Sequence, residues 1–334
     1  MEKRILFTAL VLGVMGLSLP TVSVNGQTAS PPKVYKVCLT QIATHPDLDS
    51  SRRGTMDGLV EKGFVAGKNI SYIIRNAEGD MTAAASIADY FVSLRPDLII
   101  SITTSSSQAM VGAARGTQIP IVFHTVTDPV TAGLVPSWQK AAPYVTGVSD
   151  WADVPTQINF ILSIAPKIKN LGIVYNAGEV NSVVQVKELR NEVGPKLALK
   201  VVEATAATTA DVYAAAMSLV GKVDAMWIPT DNTASSAIDS IVKVAEEHKI
   251  PFFGSTTSHV VDGGCCAGAG VDYYWIGKQA AYMAASILKG EAKAGDIRPE
   301  KCRYMVKAVN LPAAKRMGVT VPQAVIDKAD KVIR

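Results

Sequence analysis

The chain has 334 residues, of which 48% are apolar and 19% charged, an ordinary globular balance with room for two domains that excludes a disordered polymer. Its net charge of +4 is small, and Lys and Arg are scattered with no basic block, which argues against a nucleic-acid partner. The four cysteines, Cys38, Cys265, Cys266 and Cys302, match neither a zinc site nor a Cys-x-x-Cys motif.

At the N-terminus, Lys3 and Arg4 precede an apolar run from Ile5 to Leu19, and small or polar residues follow through Ser30. That is the layout of a secretory signal peptide, so residues 1–26 are expected to be cleaved near Val24-Asn25-Gly26. The run is shorter than the ~20 residues a spanning helix needs, and no Cys follows it to carry a lipid. The mature protein is expected to be free in the periplasm. In that compartment a bridge from Cys265 or Cys266 to Cys302 stays open, while Cys38 reads as a small buried strand residue.

Residues 33–43 (KVYKVCLTQIA) form the first predicted strand. Thr44-His45-Pro46 turns the chain, and Asp47, Asp49 or Ser50 can cap a helix carrying Met56, Leu59 and Val60 on one face. A strand at 69–74, a helix with Ile87, Ala88, Phe91 and Val92 inward, a strand from Asp97 and a strand after Ile119-Pro120 follow. The strand at 144–149 completes a β-α-β-α-β-α-β lobe. The pattern then restarts. Asp153 caps a helix, 170–175 and 199–203 are strands, and another strand opens at Asp224. After Ile250-Pro251 and the glycine-rich 263–270, Asp272 opens a helix reaching Leu288. A last strand is expected at 301–309, followed by two short helices split by Pro322. The fold class is therefore α/β: two doubly wound parallel-sheet lobes joined by a multi-segment hinge. Lobe 1 is expected to hold 33–148 plus about 272–309, and lobe 2 149–271 plus about 310–334.

Two stretches read as copies. Asp97-Leu-Ile-Ile-Ser-Ile-Thr-Thr-Ser-Ser-Ser107 leads by a helix to Ile119-Pro-Ile-Val-Phe123, and Asp224-Ala-Met-Trp-Ile-Pro-Thr-Asp-Asn232 leads by a helix to Ile250-Pro-Phe-Phe-Gly-Ser-Thr256. A buried strand giving way to hydroxyl and amide residues at a helix start is the corner where open parallel sheets bind ligands. Thr104, Ser105 and Ser106 stand at one such corner, and Asn181, Ser182, Asn232 and Thr256 at others. Asp231 holds the offset from Asp224 that Thr104 holds from Asp97, so it is expected to project from the lobe 2 corner toward a ligand ammonium, although an Asp there also reads as a helix N-cap. Asp128 is a second candidate for that task, although Asp-Pro is also a turn signal. His45 and His124 could stack or donate, and Tyr175, Trp227, Tyr273, Tyr274 and Trp275 lie near strand ends or helix starts.

Enzyme signatures are lacking: no G-x-G-x-x-G, Walker loop, G-x-S-x-G or H-E-x-x-H occurs. No catalytic residue, metal ligand or cofactor is expected. An exported racemase-like or hydrolytic enzyme using Asp128 and Asp231 is the alternative. A LacI-like regulator would need a DNA-binding headpiece where the leader stands.

Several motifs in order carry a resemblance: His45-Pro-x-Leu-Asp49, Arg75-Asn-Ala-Glu-Gly-Asp80, Val126-Thr-Asp-Pro-Val130, Tyr175-Asn-x-Gly-Glu-x-Asn-Ser182, Pro229-Thr-Asp-Asn232 and Val271-Asp-Tyr-Tyr274. Across essentially all of the mature chain the sequence resembles ABC transporter substrate-binding proteins of the TrpX-like, aromatic amino acid receptor group. The resemblance implies a type I periplasmic-binding fold that closes on a small zwitterionic ligand, a monomer that delivers to an inner-membrane ABC permease. It also implies a cleft lined by the hydroxyl corner at 104–107, Asp128, Asn181 and Asp231.

Overall fold

Strands that are apolar on both faces need helices on both faces, and the computed structural model, which describes Met1 and residues 33–334, places them so. The leader expected at 1–26 lies, beyond Met1, outside the described residues. In the first half β1 (Tyr35–Gln41), α1 (Pro46–Glu61), β2 (Ile70–Asn76), α2 (Met81–Ser93), β3 (Leu98–Ile102), α3 (Thr104–Ala113), β4 (Ile121–Val126) and β5 (Val145–Ser149) alternate as expected. The second half runs α4 (Val154–Ile164), β6 (Asn170–Tyr175), α5 (Val180–Glu188), α6 (Gly194–Lys196), β7 (Lys200–Thr205), α7 (Val212–Met217) and β8 (Ala225–Ile228). It continues through α8 (Asn232–Ser236), α9 (Ile238–His248), β9 (Phe252–Gly254), α10 (Thr257–Val261) and β10 (Ala267–Val271). The returning segment is α11 (Tyr273–Leu288), β11 (Glu300–Lys301), β12 (Met305–Asn310), α12 (Leu311–Arg316), α13 (Gln323–Ile326) and β13 (Lys331–Ile333).

The strands form a 6-stranded sheet in the order β11-β5-β4-β3-β1-β2 and a 7-stranded sheet in the order β13-β12-β10-β9-β8-β6-β7. Both sheets lie within one compact unit, Val34–Arg334. Side-chain alternation decides which face each residue serves. Val37, Leu39, Leu98 and Ile100 pack under α1 and α11, whereas Cys38, Ile99, Ile121 and Phe123 pack with Phe91 and Met110 of α2 and α3. The second sheet buries Ile173, Trp227, Phe252 and Phe253 in one larger core.

The repeated Asp does the same work in each lobe. Asp97 accepts the N–H of Lys36 at 2.8 Å, at the start of the neighbouring β1. Asp224 accepts the N–H groups of Lys169 and Asn170 at 2.9 and 2.7 Å, at the start of β6. Those backbone donors hold its carboxyl below the usual range.

The chain crosses between lobes between β5 and α4, between β10 and α11, and between β11 and β12. The expected strand at 301–309 is two strands. Only Glu300–Lys301 pairs with β5 of the first sheet, and Met305–Asn310 runs antiparallel to β10 in the second. Lobe 1's returning segment therefore ends near 301 and not 309, and β13 is an additional strand beside β12. Helix α1 also starts earlier than its Asp and Ser residues suggest. Pro46 occupies its first turn, with His45 before it making no side-chain cap, because a proline at that position loses no hydrogen bond. Asp47 is thus left free to turn into the cleft.

Helices α1 and α11 touch backbone to backbone. A Cβ on Gly54 would stand 2.0 Å from the Tyr274 carbonyl oxygen, and one on Gly277 would stand 1.9 Å from that of Ser51. This contact fixes Asp47 at the start of one helix against Tyr273 at the start of the other. All four cysteines are free. Cys266 Sγ lies 3.3 Å from Met317 Sδ, and Cys302 Sγ sits near the carbonyls of Asp272 and Tyr304.

Candidate functional site

The two repeated corners face each other. At lobe 1, Thr103 directly follows β3 with φ +88° and ψ 159°, a conformation that costs a residue with a Cβ ~1–3 kcal/mol. Thr125, near the end of β4, is also left-handed at φ +58°. The bend at Thr103 aims the first turn of α3 at the cleft, where the N–H groups of Thr104 and Ser105 precede any intrahelical bond. Thr104 Oγ1 is buried there without a hydrogen-bond partner.

At lobe 2, Asp231 caps α8 by accepting from Ala234 N at 2.7 Å, and its second oxygen accepts from Asn176 N at 2.7 Å. Burial, with the Glu179 carboxylate beside it, pushes the Asp231 carboxyl up from its ordinary value. Glu179 is the organiser of this wall. It accepts from Asn181 Nδ2 (3.0 Å), from N and Nδ2 of Asn232 (2.9 and 2.6 Å), and from N and Oγ1 of Thr233 (3.0 and 2.8 Å). Asn181 Nδ2 also donates to the Thr230 carbonyl at 2.7 Å, which leaves Asn181 Oδ1 turned out and unpartnered.

Between the walls lies a cavity with about 20 Å³ of free space, lined by His45, Asp47, Leu48, Thr104, Thr125, Thr127 and Asp150 from the first half. Asn181, Thr230, Asp231, Asn232, Ser235 and Thr256 line it from the second, and Tyr273 from the returning helix. Asp150 Oδ2 accepts from the Tyr273 hydroxyl at 2.9 Å, while Asp150 Oδ1 has no partner. Burial pushes this carboxyl up to about 6, and the neighbouring Asp47 carboxylate adds to the shift. Asp47 Oδ2 lies 3.9 Å from His259 Nε2, and Asp47 Oδ1 is unpartnered. Burial lowers the His259 imidazole to about 4, so near neutrality it is uncharged.

The lobes meet over this cavity. Thr127 and Thr230 hydroxyls are 3.1 Å apart, and His45 Nε2 is 3.5 Å from Asn232 Oδ1. An outer chamber of about 610 Å³ shares Asn232 and runs between Ile42, Met81, Ser105 and Gln108 on one side and Glu179, Ala207 and Thr208 on the other.

His45, Thr104, Asn181, Asp231, Asn232 and Thr256 are thus brought to one cavity, and Ser105 to the chamber beside it. Four expected residues are not. Asp128 spends its carboxylate on Val130 N and on N and Oγ1 of Thr131, so it holds its own turn. Tyr175 donates to Glu203 at 2.7 Å, and Ser182 donates to the carbonyls of Asn176 and Glu179. Ser106 is buried but lines neither space. Among the other candidates Trp227 is core. Tyr274 bonds Asp57 and Trp275 stacks on Tyr304. His124 is locked neutral between Ser51 and Thr55, with burial lowering it to about 3. Asp47, Asp150, Thr125, Thr127, Thr230 and Glu179 were missed. Asp150 was the findable one, since it directly follows a predicted strand and carboxyl ends of strands are where such sites lie. Among the described residues no group of His, Cys, Asp or Glu could hold a metal ion.

Residues 36–333 match the family described as ABC transporter substrate binding protein, and the chain belongs to it. It is the substrate-binding protein of an ABC transporter, of the type I periplasmic fold: an extracytoplasmic receptor for a small molecule that works with a membrane permease. A tyrosine-binding protein of Clostridioides difficile is 37% identical over 307 residues, covering 89% of this chain and 87% of that protein. A Streptococcus pneumoniae structure in complex with L-Trp shares 30% identity and a TM-score of 0.85 over 90% of this chain and 100% of that one. The ligand-free, open structure of a substrate-binding protein from Clostridium difficile is 36% identical and covers 90% of this chain and 99% of that one. Its TM-score is nevertheless only 0.68. The chain is thus nearer in shape to the L-Trp complex than to the open structure, and the Thr127–Thr230 contact joins its two lobes.

Proposed function

We propose that this receptor binds an aromatic amino acid, tyrosine or tryptophan, with its zwitterionic head in the narrow interlobe cavity. One observation carries the reading. Four buried polar atoms with no partner, Asp47 Oδ1, Asp150 Oδ1, Asn181 Oδ1 and Thr104 Oγ1, line that one cavity. Nearly all buried polar atoms in folded proteins are satisfied, so four orphans in one place support a ligand position there. Three of them are acceptors that suit the three N–H donors of an ammonium. The fourth sits beside the free N–H groups of α3, which suit a carboxylate. The side chain is too large for the cavity and extends into the outer chamber, where Met81 is 53% exposed and offers a soft surface to a ring. The ligands of the tyrosine-binding relative and of the L-Trp complex agree with this assignment.

In this reading the protein acts in the periplasm after loss of its leader, as a monomer, without catalysis and without nucleic acid. Catalysis by paired Asp128 and Asp231 loses its geometry, because Asp128 is outside the cavity. Mass spectrometry of the small molecule that co-purifies, followed by calorimetry of the stripped protein against a panel of amino acids, tests the reading. Tyrosine or tryptophan is expected to bind at one molecule per chain. A flat response to every aromatic amino acid would overturn it.

A further inference from the structure

The cavity is electrically lopsided. Of its lining residues Asp47, Asp150 and Asp231 are carboxylates, and none is Lys or Arg. Glu179 stands directly behind the lobe 2 wall. Asp47, Asp150, Thr104 and Asn181 are 2%, 2%, 2% and 5% exposed, so little water screens these charges. A ligand carboxylate here meets the Thr104 hydroxyl and the first N–H groups of α3 but no Lys or Arg, and it faces the Asp47 and Asp150 carboxylates. A ligand ammonium meets unpartnered oxygens of two carboxylates and an amide.

We propose that the ammonium is the group this site requires and that the carboxylate is dispensable, so that decarboxylated aromatic amines of the tyramine and tryptamine type form a second ligand class. The inference rests on the amino acid reading of the same cavity and sharpens it. A zwitterion leaves the buried acidic surplus as it was, whereas an amine brings one uncompensated positive charge into it. Losing the carboxylate forfeits a hydrogen bond to a hydroxyl and the attraction of one helix terminus, both modest effects. Masking the amine as an amide leaves the unpartnered oxygens of Asp47 and Asp150 buried with no positive partner, which is a large loss. Asp150 points the same way: its carboxyl is pushed up to about 6, the behaviour of a group waiting for a positive partner.

The test is calorimetry of the stripped protein with a matched set: tyrosine, tyramine and N-acetyl-tyrosine. Tyramine is expected within roughly tenfold of tyrosine, and N-acetyl-tyrosine weaker by roughly a hundredfold or more. Thr104→Val is expected to narrow the gap between tyrosine and tyramine, because only tyrosine uses that hydroxyl, and Asp150→Asn is expected to weaken both. If tyrosine binds while tyramine falls as far as N-acetyl-tyrosine, the proposal is overturned and the amino acid reading stands. If none of the three nor their tryptophan counterparts bind, both fall together.

Discussion

Thr127, just beyond the end of β4, and Thr230, just before α8, join hydroxyl to hydroxyl across the cleft at 3.1 Å. Thr230 is itself held by Gln185, whose Oε1 accepts its N–H and its hydroxyl at 2.8 and 2.9 Å. The bond joins one lobe to the other, so it is expected to bias the equilibrium toward the closed form. Thr127→Val is expected to destabilise the closed state by ~0.5–1.5 kcal/mol. The change should appear as a several-fold faster ligand off-rate in stopped-flow experiments. Small-angle scattering should show a larger radius of gyration for the ligand-free protein. An unchanged off-rate would mean the contact is incidental.

The two aspartates that differ most between expectation and structure are separable by substitution. Asp47→Asn removes a charge at the cavity and is expected to weaken tyrosine by roughly tenfold to a hundredfold. Asp128→Ala removes a turn cap and is expected to cost ~0.5–2 kcal/mol of stability with ligand affinity intact. Calorimetry and thermal unfolding of both variants check the pair. Loss of affinity in Asp128→Ala would restore that residue to the cleft.

Asp150 makes a pH prediction whose sign can be worked out. Its carboxyl, ordinarily near 3.8, is pushed up to about 6 by burial. Between those values the folded protein binds more protons here than the unfolded chain, so this group's contribution to stability falls as pH rises. At pH 7.5 it works against folding by ~1–3 kcal/mol. Asp150→Asn is therefore expected to raise the melting temperature of the ligand-free protein at pH 7.5, an advantage that vanishes near pH 4. Because the buried His124 and His259 are lowered and lose stability in acid by themselves, the comparison must be variant against wild type at each pH. Binding follows the opposite logic. Asp47, Asp231, His45 and Tyr273 line the cavity with it and no Lys or Arg does, and the ligand ammonium favours the ionised form. Affinity for tyrosine is expected to rise from pH 5 to pH 7 and then level off.

The α1–α11 contact is a stability prediction. Gly54→Ala places a methyl group on the Tyr274 carbonyl at 2.0 Å, where backbone and not a flexible side chain must give way. A destabilisation of at least ~1–3 kcal/mol is expected, read as a lower melting temperature. Affinity should fall as well, since Asp47 and Tyr273 open the two helices.

Much of this fold was legible because its signals are local and repeated. Apolar strands, Asp caps at Asp153 and Asp272 and the copy at Asp97 and Asp224 each fix one element. The crossing after β11 was not legible, since two residues of strand followed by a turn have no period to read. At the site, helix-start hydroxyls could be located but their directions could not. Asp128 and Asp150 both follow strands, yet one closes on its own turn and the other faces the cavity. Asp47 reads as a cap because Thr44-His45-Pro46 also reads as a turn, whereas Pro46 in fact opens the helix. Glu179 lies within the Tyr175–Ser182 motif, but four of its five hydrogen bonds reach Asn232 and Thr233, more than fifty residues away.

Titration of tyrosine into the ligand-stripped protein and into its Asp150→Asn variant, side by side at pH 7.5, reaches the centre of the account. Saturable binding of one molecule per chain, weakened roughly tenfold to a hundredfold in the variant, is the expected outcome. Equal affinities, or heat in neither titration, would show that the acidic cavity between the lobes is not where the ligand's ammonium is held.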